Sequence, residues 1–114
     1  MIRFYVDVVG CRLERSVPGI GLFHLRAGAS QIDLVEAVGA PPDPGRRNVD
    51  HVCLRVEPFD PRAIAERFAR HGVEVSEVKE RFGAEGTGPS VYVSDPEGNV
   101  LELKGPPAPA GAAS

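Results

Sequence analysis

The sequence is poor in cysteine and has no long apolar run. Its two cysteines, Cys11 and Cys53, are too few for the disulfide framework of a small secreted domain. We therefore expect both to be reduced thiols in a cytoplasmic protein. No apolar run approaches the roughly 20 residues of a membrane-spanning helix. The N-terminus also lacks the basic and then apolar pattern of a signal peptide, so no membrane partner is expected.

The chain also lacks an excess of basic residues. It has 13 Lys and Arg against 16 Asp and Glu, which gives a formal net charge of −3. A nucleic-acid-binding protein usually carries a basic patch or stripe, so this charge balance argues against a nucleic-acid partner. The length of 114 residues suits one domain with a modest core.

The second half of the chain predicts a β-α-β-β-β order. In Val49–Val56, polar residues alternate with aliphatic ones, which is typical of a strand with one apolar face. Asp60 is a suitable N-cap for a helix with Pro61 at its first position and Gly72 at its end. Three further strands are predicted, at Val73–Val78, Ser90–Val93 and Asn99–Lys104.

The first half reads as a copy of the second that lacks the opening strand. A helix over Ile2–Val9 ends at Gly10, and strands follow at Cys11–Arg15, Leu22–Leu25 and Gln31–Glu36. The predicted fold class is α+β, built of paired βαβββ modules. Module 1 covers residues 1–38 and module 2 covers residues 49–105, with a Pro/Gly-rich linker between them. Residues 106–114 carry no large side chain and are predicted to be a disordered tail.

Two carboxylates stand at equivalent positions of the two modules. Asp33 lies in Gln-Ile-Asp-Leu-Val and Glu102 in Val-Leu-Glu-Leu-Lys, each between aliphatic residues. A carboxylate there is costly on a dry face, so the pair suggests a polar cavity. With His51 they form a plausible set for a divalent ion of Mn, Fe, Ni or Zn. The alternative is that both acids face solvent and His51 is a satisfied core or edge histidine.

Two arginines are weaker candidates for substrate binding. Arg55 lies on the same strand face as His51, where it would bind an anionic substrate group or form a structural ion pair. Arg81 lies at the mouth of a glycine-rich segment that spans residues 79–89. That segment would either close over a ligand or be a plain connection. Cys53, between His51 and Arg55, is read as a packing residue rather than a nucleophile.

Three segments resemble the vicinal oxygen chelate superfamily, which contains glyoxalases, bleomycin-resistance proteins and extradiol dioxygenases. They are Phe4–Leu13, Val49–Val56 and Val91–Lys104. The most specific element is the Asp95-Pro-Glu-Gly-Asn99 turn, which leads into an aliphatic–Glu–aliphatic strand. The resemblance covers about residues 2–105. It implies a glyoxalase-like fold whose curved sheets enclose a site for a metal ion and a substrate.

The resemblance also implies roles for the candidate residues. It assigns metal ligation to His51, Glu102 and Asp33, and Glu102 could also detach from the metal and act as a general base. The fourth ligand of the family would lie on the missing opening strand. The implied function is a metal-dependent lyase, isomerase or transferase acting on a small oxygenated substrate. The alternative is a metal-free module that binds a small molecule or drug; an extradiol dioxygenase fits less well, because it needs two histidines and one carboxylate.

The missing strand has two interpretations at the sequence level. The chain is either a version of a longer protein that starts at an internal methionine, or a degenerate family member that binds ligands without metal. In both cases the neighbouring strand is left with an open edge, and an open edge tends to pair with another chain. We therefore expect a homodimer.

Overall fold

A computed structural model describes residues 1–36, 39, 43–47 and 49–107. The chain forms two compact units. The first consists of Met1–Asn48 with Asp95–Asn99, and the second of Val49–Ser94 with the residues from Val100 onward. Most of the predicted disordered tail, residues 108–114, lies outside the described residues.

The first unit contains a helix and a three-stranded antiparallel sheet. The helix spans Phe4–Val9 and has π rather than α geometry. The strands, in the spatial order β1-β2-β3, are β1 (Arg12–Val17), β2 (Leu22–Ala27) and β3 (Ser30–Val35). In this sheet no described strand pairs with the outer side of β3, as predicted for a module without an opening strand.

The end of the first helix depends on a glycine. Gly10 has a φ of 97°, a left-handed conformation that other residues rarely adopt. The turn brings the Cys11 backbone N–H within 2.8 Å of the Tyr5 carbonyl oxygen, which accepts a hydrogen bond from it. The helix therefore ends where the sequence predicts, and Phe4, Tyr5 and Val8 are buried.

The second unit holds a four-stranded mixed sheet and one α-helix. The strands are β4 (His51–Arg55), β5 (Lys79–Gly83), β6 (Gly86–Ser94) and β7 (Val100–Lys104), in the spatial order β4-β7-β6-β5. β4 runs parallel to β7, and the other neighbours are antiparallel. This is the predicted β-α-β-β-β module, so the α+β fold class is confirmed.

Helix α1 (Pro61–Arg70) begins at the predicted cap. The Asp60 carboxylate accepts hydrogen bonds from the backbone N–H groups of Arg62 and Ala63, each at 3.1 Å. These bonds satisfy two of the N–H groups that have no partner inside the helix. The helix ends before Gly72, which has a positive φ.

The prediction of a strand over Val73–Val78 is wrong, because residues 73–78 form no strand. They run beside β6, where the Ser76 N–H donates to the Tyr92 carbonyl oxygen at 3.0 Å. The Ser76 hydroxyl accepts the return bond from the Tyr92 N–H at 2.7 Å. A serine side chain thus replaces a backbone carbonyl and interrupts the ladder. The outer partner of β6 is β5, which lies within the predicted glycine-rich connection.

The two faces of the four-stranded sheet differ in chemistry. Alternation along β6 and β7 places four buried aliphatic residues on one face: Val91, Val93, Leu101 and Leu103. The opposite face, called here the polar face, carries His51, Arg81, Tyr92, Glu102 and Lys104. The pairing register therefore gathers most of the predicted site residues of the second module on one surface.

No helix among the described residues is long and apolar enough to cross a membrane.

Candidate functional site

His51 and Glu102 lie side by side at the centre of the polar face. They come from the parallel neighbours β4 and β7, and the imidazole Nε2 is 3.0 Å from Glu102 Oε1. The structure thus brings together two of the three residues predicted to bind a metal.

The His51 ring lies between two carboxylates. Its Nδ1 is 2.7 Å from Asp50 Oδ2, and its Nε2 faces Glu102. An imidazole donates from both nitrogens only when it is protonated, so this arrangement favours the imidazolium form. The hydrogen bond to Asp50 raises the pKa of His51, and the charge of Glu102 adds to that rise against an opposing effect of desolvation.

Glu102 has unused bonding capacity in a buried position. The residue is 5 % exposed, and Oε2 has no hydrogen-bond partner among the residues that the structure describes. An unpaired buried carboxylate oxygen is costly, so Oε2 lacks a hydrogen-bond donor that the described residues do not supply. Cys53 stands opposite Glu102 in the register. Burial, followed by the negative charge of Glu102, raises the pKa of the Cys53 thiol, which favours the less nucleophilic thiol form.

Tyr92 links this pair to Arg81. The Tyr92 ring meets the His51 ring edge-on, with centroids 5.3 Å apart, and the Arg81 guanidinium lies 4.4 Å from the centre of the Tyr92 ring. Arg81 Nη1 also donates to the carbonyl and hydroxyl oxygens of Ser90, at 2.7 and 2.8 Å. Arg81 therefore belongs to strand β5 rather than to an open loop, and its guanidinium is held in a fixed orientation.

Arg55 is paired with carboxylates. Its guanidinium lies 3.0 Å from Glu57 and 2.9 Å from Glu85. These contacts match the structural ion pair that the sequence offered as one alternative for Arg55. A role of Arg55 in substrate binding stays a prediction.

Asp33 belongs to the first unit and has local partners there. Its Oδ1 is 2.8 Å from His24 Nδ1 and accepts a hydrogen bond from Gln31 Nε2 at 2.8 Å. The contact with His24 lowers the pKa of Asp33, and Gln31 adds to the effect. The sequence pattern did not indicate this pair, although His24 and Asp33 lie on two predicted strands that follow each other in the chain. The register confirms that they are direct partners.

The donor set fits a metal ion in part. A catalytic zinc site typically has three protein ligands. Of the predicted ligands the second unit supplies His51 and Glu102, and the unpartnered Glu102 Oε2 is a suitable donor. Within either unit, the described residues contain no group of three His, Cys, Asp or Glu side chains placed to hold a metal. Metal ligation by Asp33 stays a prediction.

A cavity of about 720 Å³ adjoins the polar face. It is lined by residues 72–76 and 92–94 and by Val100, so the segment that fails to form a strand becomes one of its walls. Tyr92 belongs both to this lining and to the polar face. Cavities that bind drug-sized molecules usually span about 300–1,000 Å³, so this one is large enough for a small organic ligand.

Comparison with solved structures finds proteins of the same fold. A virulence protein from Salmonella typhimurium is 26 % identical, with a TM-score of 0.69 over 92 % of this chain and 84 % of that chain. TnmS3, an antibiotic-binding protein from Streptomyces sp. CB03234, is 29 % identical, with a TM-score of 0.65 over 91 % of this chain and 82 % of that chain. The fosfomycin resistance protein FosX from Listeria monocytogenes is 18 % identical, with a TM-score of 0.68 over 90 % and 77 %.

No curated protein matches the chain significantly. The family model of the Glyoxalase/Bleomycin resistance protein/Dioxygenase superfamily matches residues 1–103. This match covers nearly the whole chain, and the βαβββ order of the second unit agrees with it. The chain therefore belongs to the Glyoxalase/Bleomycin resistance protein/Dioxygenase superfamily.

Proposed function

We propose that the protein binds a small organic molecule in the cavity beside Tyr92 and on the adjoining polar face, without requiring a metal ion. The observation that carries the proposal is Glu102 Oε2, a buried acceptor that has no hydrogen-bond donor among the residues that the structure describes. The cavity volume supports it, since it suits a drug-sized ligand. The 29 % identity to an antibiotic-binding protein supports the same class of function.

Three residues of the second unit would have different roles in ligand binding. Glu102 would accept a hydrogen bond from the ligand, and the contact with the His51 ring would keep the Glu102 carboxylate in place. Tyr92 would supply an aromatic wall that is fixed by contacts on its edge and face.

A thermal-shift measurement tests this proposal. Protein dialysed against EDTA is heated with bleomycin or fosfomycin, the two drugs named in the family and in a structural relative. A ligand at about one hundred times its Kd stabilises the folded state by about 2.7 kcal/mol, which shifts the Tm of a small domain by several degrees or more. We expect at least one drug to raise the Tm in EDTA. A rise only after metal is restored would contradict metal-free binding.

A divalent-metal enzyme is the second candidate, and the side-by-side donors of His51 and Glu102 favour it. His51 and Glu102, with Asp33 as the predicted third ligand, would hold the ion. A bound divalent ion would supply Lewis-acid stabilisation of negative charge that develops on a substrate oxygen. Glu102, buried and unpartnered at Oε2, would be the group that takes a proton from the substrate.

Elemental analysis separates the two candidates. If the metal-enzyme candidate is right, purified and dialysed protein contains close to one equivalent of Mn, Fe, Ni or Zn, and the His51→Ala variant contains none. An Asp33→Ala variant then shows whether Asp33 is a ligand. Metal-free protein with a native far-UV spectrum would eliminate this candidate and leave the binding module.

We also propose that the protein is a homodimer in the cytoplasm. In the second unit, β7 pairs with β6 on one side and with β4 on the other. In the first unit, β3 pairs with β2 on one side and has no neighbour on the other among the described strands of its sheet. An unpaired strand edge is a template for another chain. Light scattering at micromolar concentration should give twice the 12.2 kDa chain mass. A monodisperse monomer would contradict the prediction.

A further inference from the structure

The polar face carries three cations that form no ion pair with a carboxylate among the described residues: Lys79, Arg81 and Lys104. Arg55 is paired with Glu57 and Glu85, whereas Arg81 and Lys104 form no ion pair with any carboxylate among the described residues. These two residues are close together, since the Lys104 ammonium donates to the backbone carbonyl of Arg81. The surface beside Tyr92 therefore has a local excess of positive charge.

Lys104 is an unusual residue to find buried without an anion. It is 6 % exposed, and its ammonium donates to two backbone carbonyls, those of Arg81 and of Gly88 at 3.1 Å. Its side chain occupies a notch over Gly83, where an added Cβ would lie 2.6 Å from the lysine Cε. Carbonyls satisfy the N–H groups but leave the charge uncompensated, and burying such a charge is costly. A methionine of similar length would fill the same notch at lower cost.

The Arg81 guanidinium is held in place, but some of its N–H donors have no partner among the described residues. Two hydrogen bonds to Ser90 use Nη1, and the guanidinium also lies over the Tyr92 ring. A guanidinium has five N–H donors in a rigid fork, and those on Nε and Nη2 have no partner among the described residues. A preorganised fork of this kind matches the two oxygens of a carboxylate or phosphoryl group.

We propose that Arg81 and Lys104 form a subsite for an anionic oxygen group of the ligand, a carboxylate or a phosphonate. This inference rests on the proposed binding function and names the chemistry of the molecule bound. Arg81 donates two hydrogen bonds to the anion, and Lys104, held on the Arg81 and Gly88 carbonyls, adds a second positive charge nearby. Glu102, on the other side of Tyr92, accepts from a hydroxyl or amino group of the same ligand. The ligand is therefore a small organic acid that also carries a hydrogen-bond donor.

The experiment uses small probes and NMR. Sodium methylphosphonate and sodium acetate are titrated separately into ¹⁵N-labelled, EDTA-dialysed full-length protein, and the shifts of the Arg81 Nε–H and of the Ser90 and Tyr92 amides are followed. Sodium chloride and methylammonium chloride at equal ionic strength are the controls. We expect saturable shifts with an anionic probe and none with the controls. The tighter of the two probes identifies the anion as a phosphonate or a carboxylate.

Variants of Arg81 and Lys104 test whether these two residues cause the NMR shifts. Arg81→Gln should weaken binding of the anionic probe about tenfold or more, because it removes a charge-assisted pair of hydrogen bonds. Lys104→Met should also weaken it while keeping the notch filled. Arg62→Gln is the matched control, because Arg62 is an exposed arginine on α1 that pairs with Glu66. It should bind the probe as tightly as the unmodified protein does.

Three results would overturn the subsite: no saturable shift with either anion, equal shifts with chloride, or unchanged binding in Arg81→Gln. These results remain separate from the drug-binding test. If a drug raises the Tm but neither anion binds, the proposed function stands and the anionic subsite is wrong. If neither drug nor anion binds, both proposals fail.

Discussion

The Asp95→Ala variant should lose about 3–4 kcal/mol of unfolding free energy, because several polar groups lose their acceptor at once. Asp95 is 5 % exposed. Its Oδ1 accepts the N–H groups of Glu97 and Asn99, each at 2.9 Å, and its Oδ2 accepts the Asn99 side-chain amide and the Tyr5 hydroxyl, each at 2.8 Å. Alanine leaves these donors without a partner in or near the core. In a domain of this size, such a loss lowers the Tm by more than about 10 °C.

Two further variants make the measurement specific. Tyr5→Phe removes one donor from the same carboxylate and should cost about 1–2 kcal/mol. Asp43→Ala is the matched control: Asp43 also accepts a backbone N–H, that of Gly45 at 2.9 Å, but it is exposed. Water replaces its bond, so its loss should cost less than about 1 kcal/mol. Urea unfolding of the three variants gives the values, and equal costs for Asp95→Ala and Asp43→Ala would contradict the buried-network explanation.

The Asp95 network also explains why that turn was the most informative part of the sequence. Asp95 and Asn99 bond each other through side chain and backbone, and Gly98 takes a positive φ of 81° between them. Asp95, Gly98 and Asn99 therefore have local roles in the turn that are typical of these residue types. The same holds for α1, whose start is fixed by Asp60 and whose end precedes Gly72. Local chemistry of this kind was predicted correctly.

The features that the sequence did not predict depend on which of several hydrogen-bond or packing partners a group contacts in the fold. Residues 73–78 have a strand-like composition, yet the Ser76 hydroxyl takes a bond that the ladder would need. The glycines of the 79–89 segment suggested a loop, whereas Gly83 instead makes room for the Lys104 side chain across a hairpin. Which partner a group prefers depends on neighbours that are distant in the chain, and a pattern of residue types does not contain that information.

For the candidate site too, the sequence predicted some features and not others. The residue pattern of the second half correctly placed His51 and Glu102 on two different strands, and the structure shows that these strands are neighbours. The sequence pattern did not indicate that His24 would contact Asp33, nor that Arg55 would be neutralised by Glu85 from the β5–β6 turn. Side-chain pairings of this kind require the strand register and the side-chain directions, which the structure supplies.

Replacement of Glu102 should separate ligand binding from stability. The Glu102→Leu variant removes a buried carboxylate that has one unpartnered oxygen, and His51 keeps its hydrogen bond to Asp50. Losing one partner of a buried ion pair is destabilising when the other charge is left buried and unpaired, but the His51 side chain is 30 % exposed and keeps Asp50. We therefore expect a Tm close to that of the unmodified protein. Ligand affinity should nevertheless fall about 10- to 100-fold, because the ligand loses a hydrogen bond to a charged acceptor.

The pH dependence of stability is an independent test of the Glu102→Leu variant. The pKa of His51 is raised in the folded protein, first by Asp50 and then by Glu102. A raised folded-state pKa stabilises the protein fully below the unfolded histidine pKa of about 6.5, and this contribution is lost as the pH rises through the folded-state value. In Glu102→Leu only Asp50 still raises the pKa, so the loss should occur at lower pH. NMR titration of the His51 ring measures that shift directly.

Glu66→Gln is the control for charge removal, since Glu66 is an exposed carboxylate on α1 that pairs with Arg62. It should leave the ligand affinity and the His51 titration unchanged. If Glu102→Leu binds the ligand as well as this control does, Glu102 does not contact the ligand and the proposed site is wrong. If Glu102→Leu instead loses several kcal/mol of stability, the carboxylate has a structural role. The expected result, a stable protein that binds the ligand more weakly, would mean that the buried charge is retained for ligand binding rather than for folding.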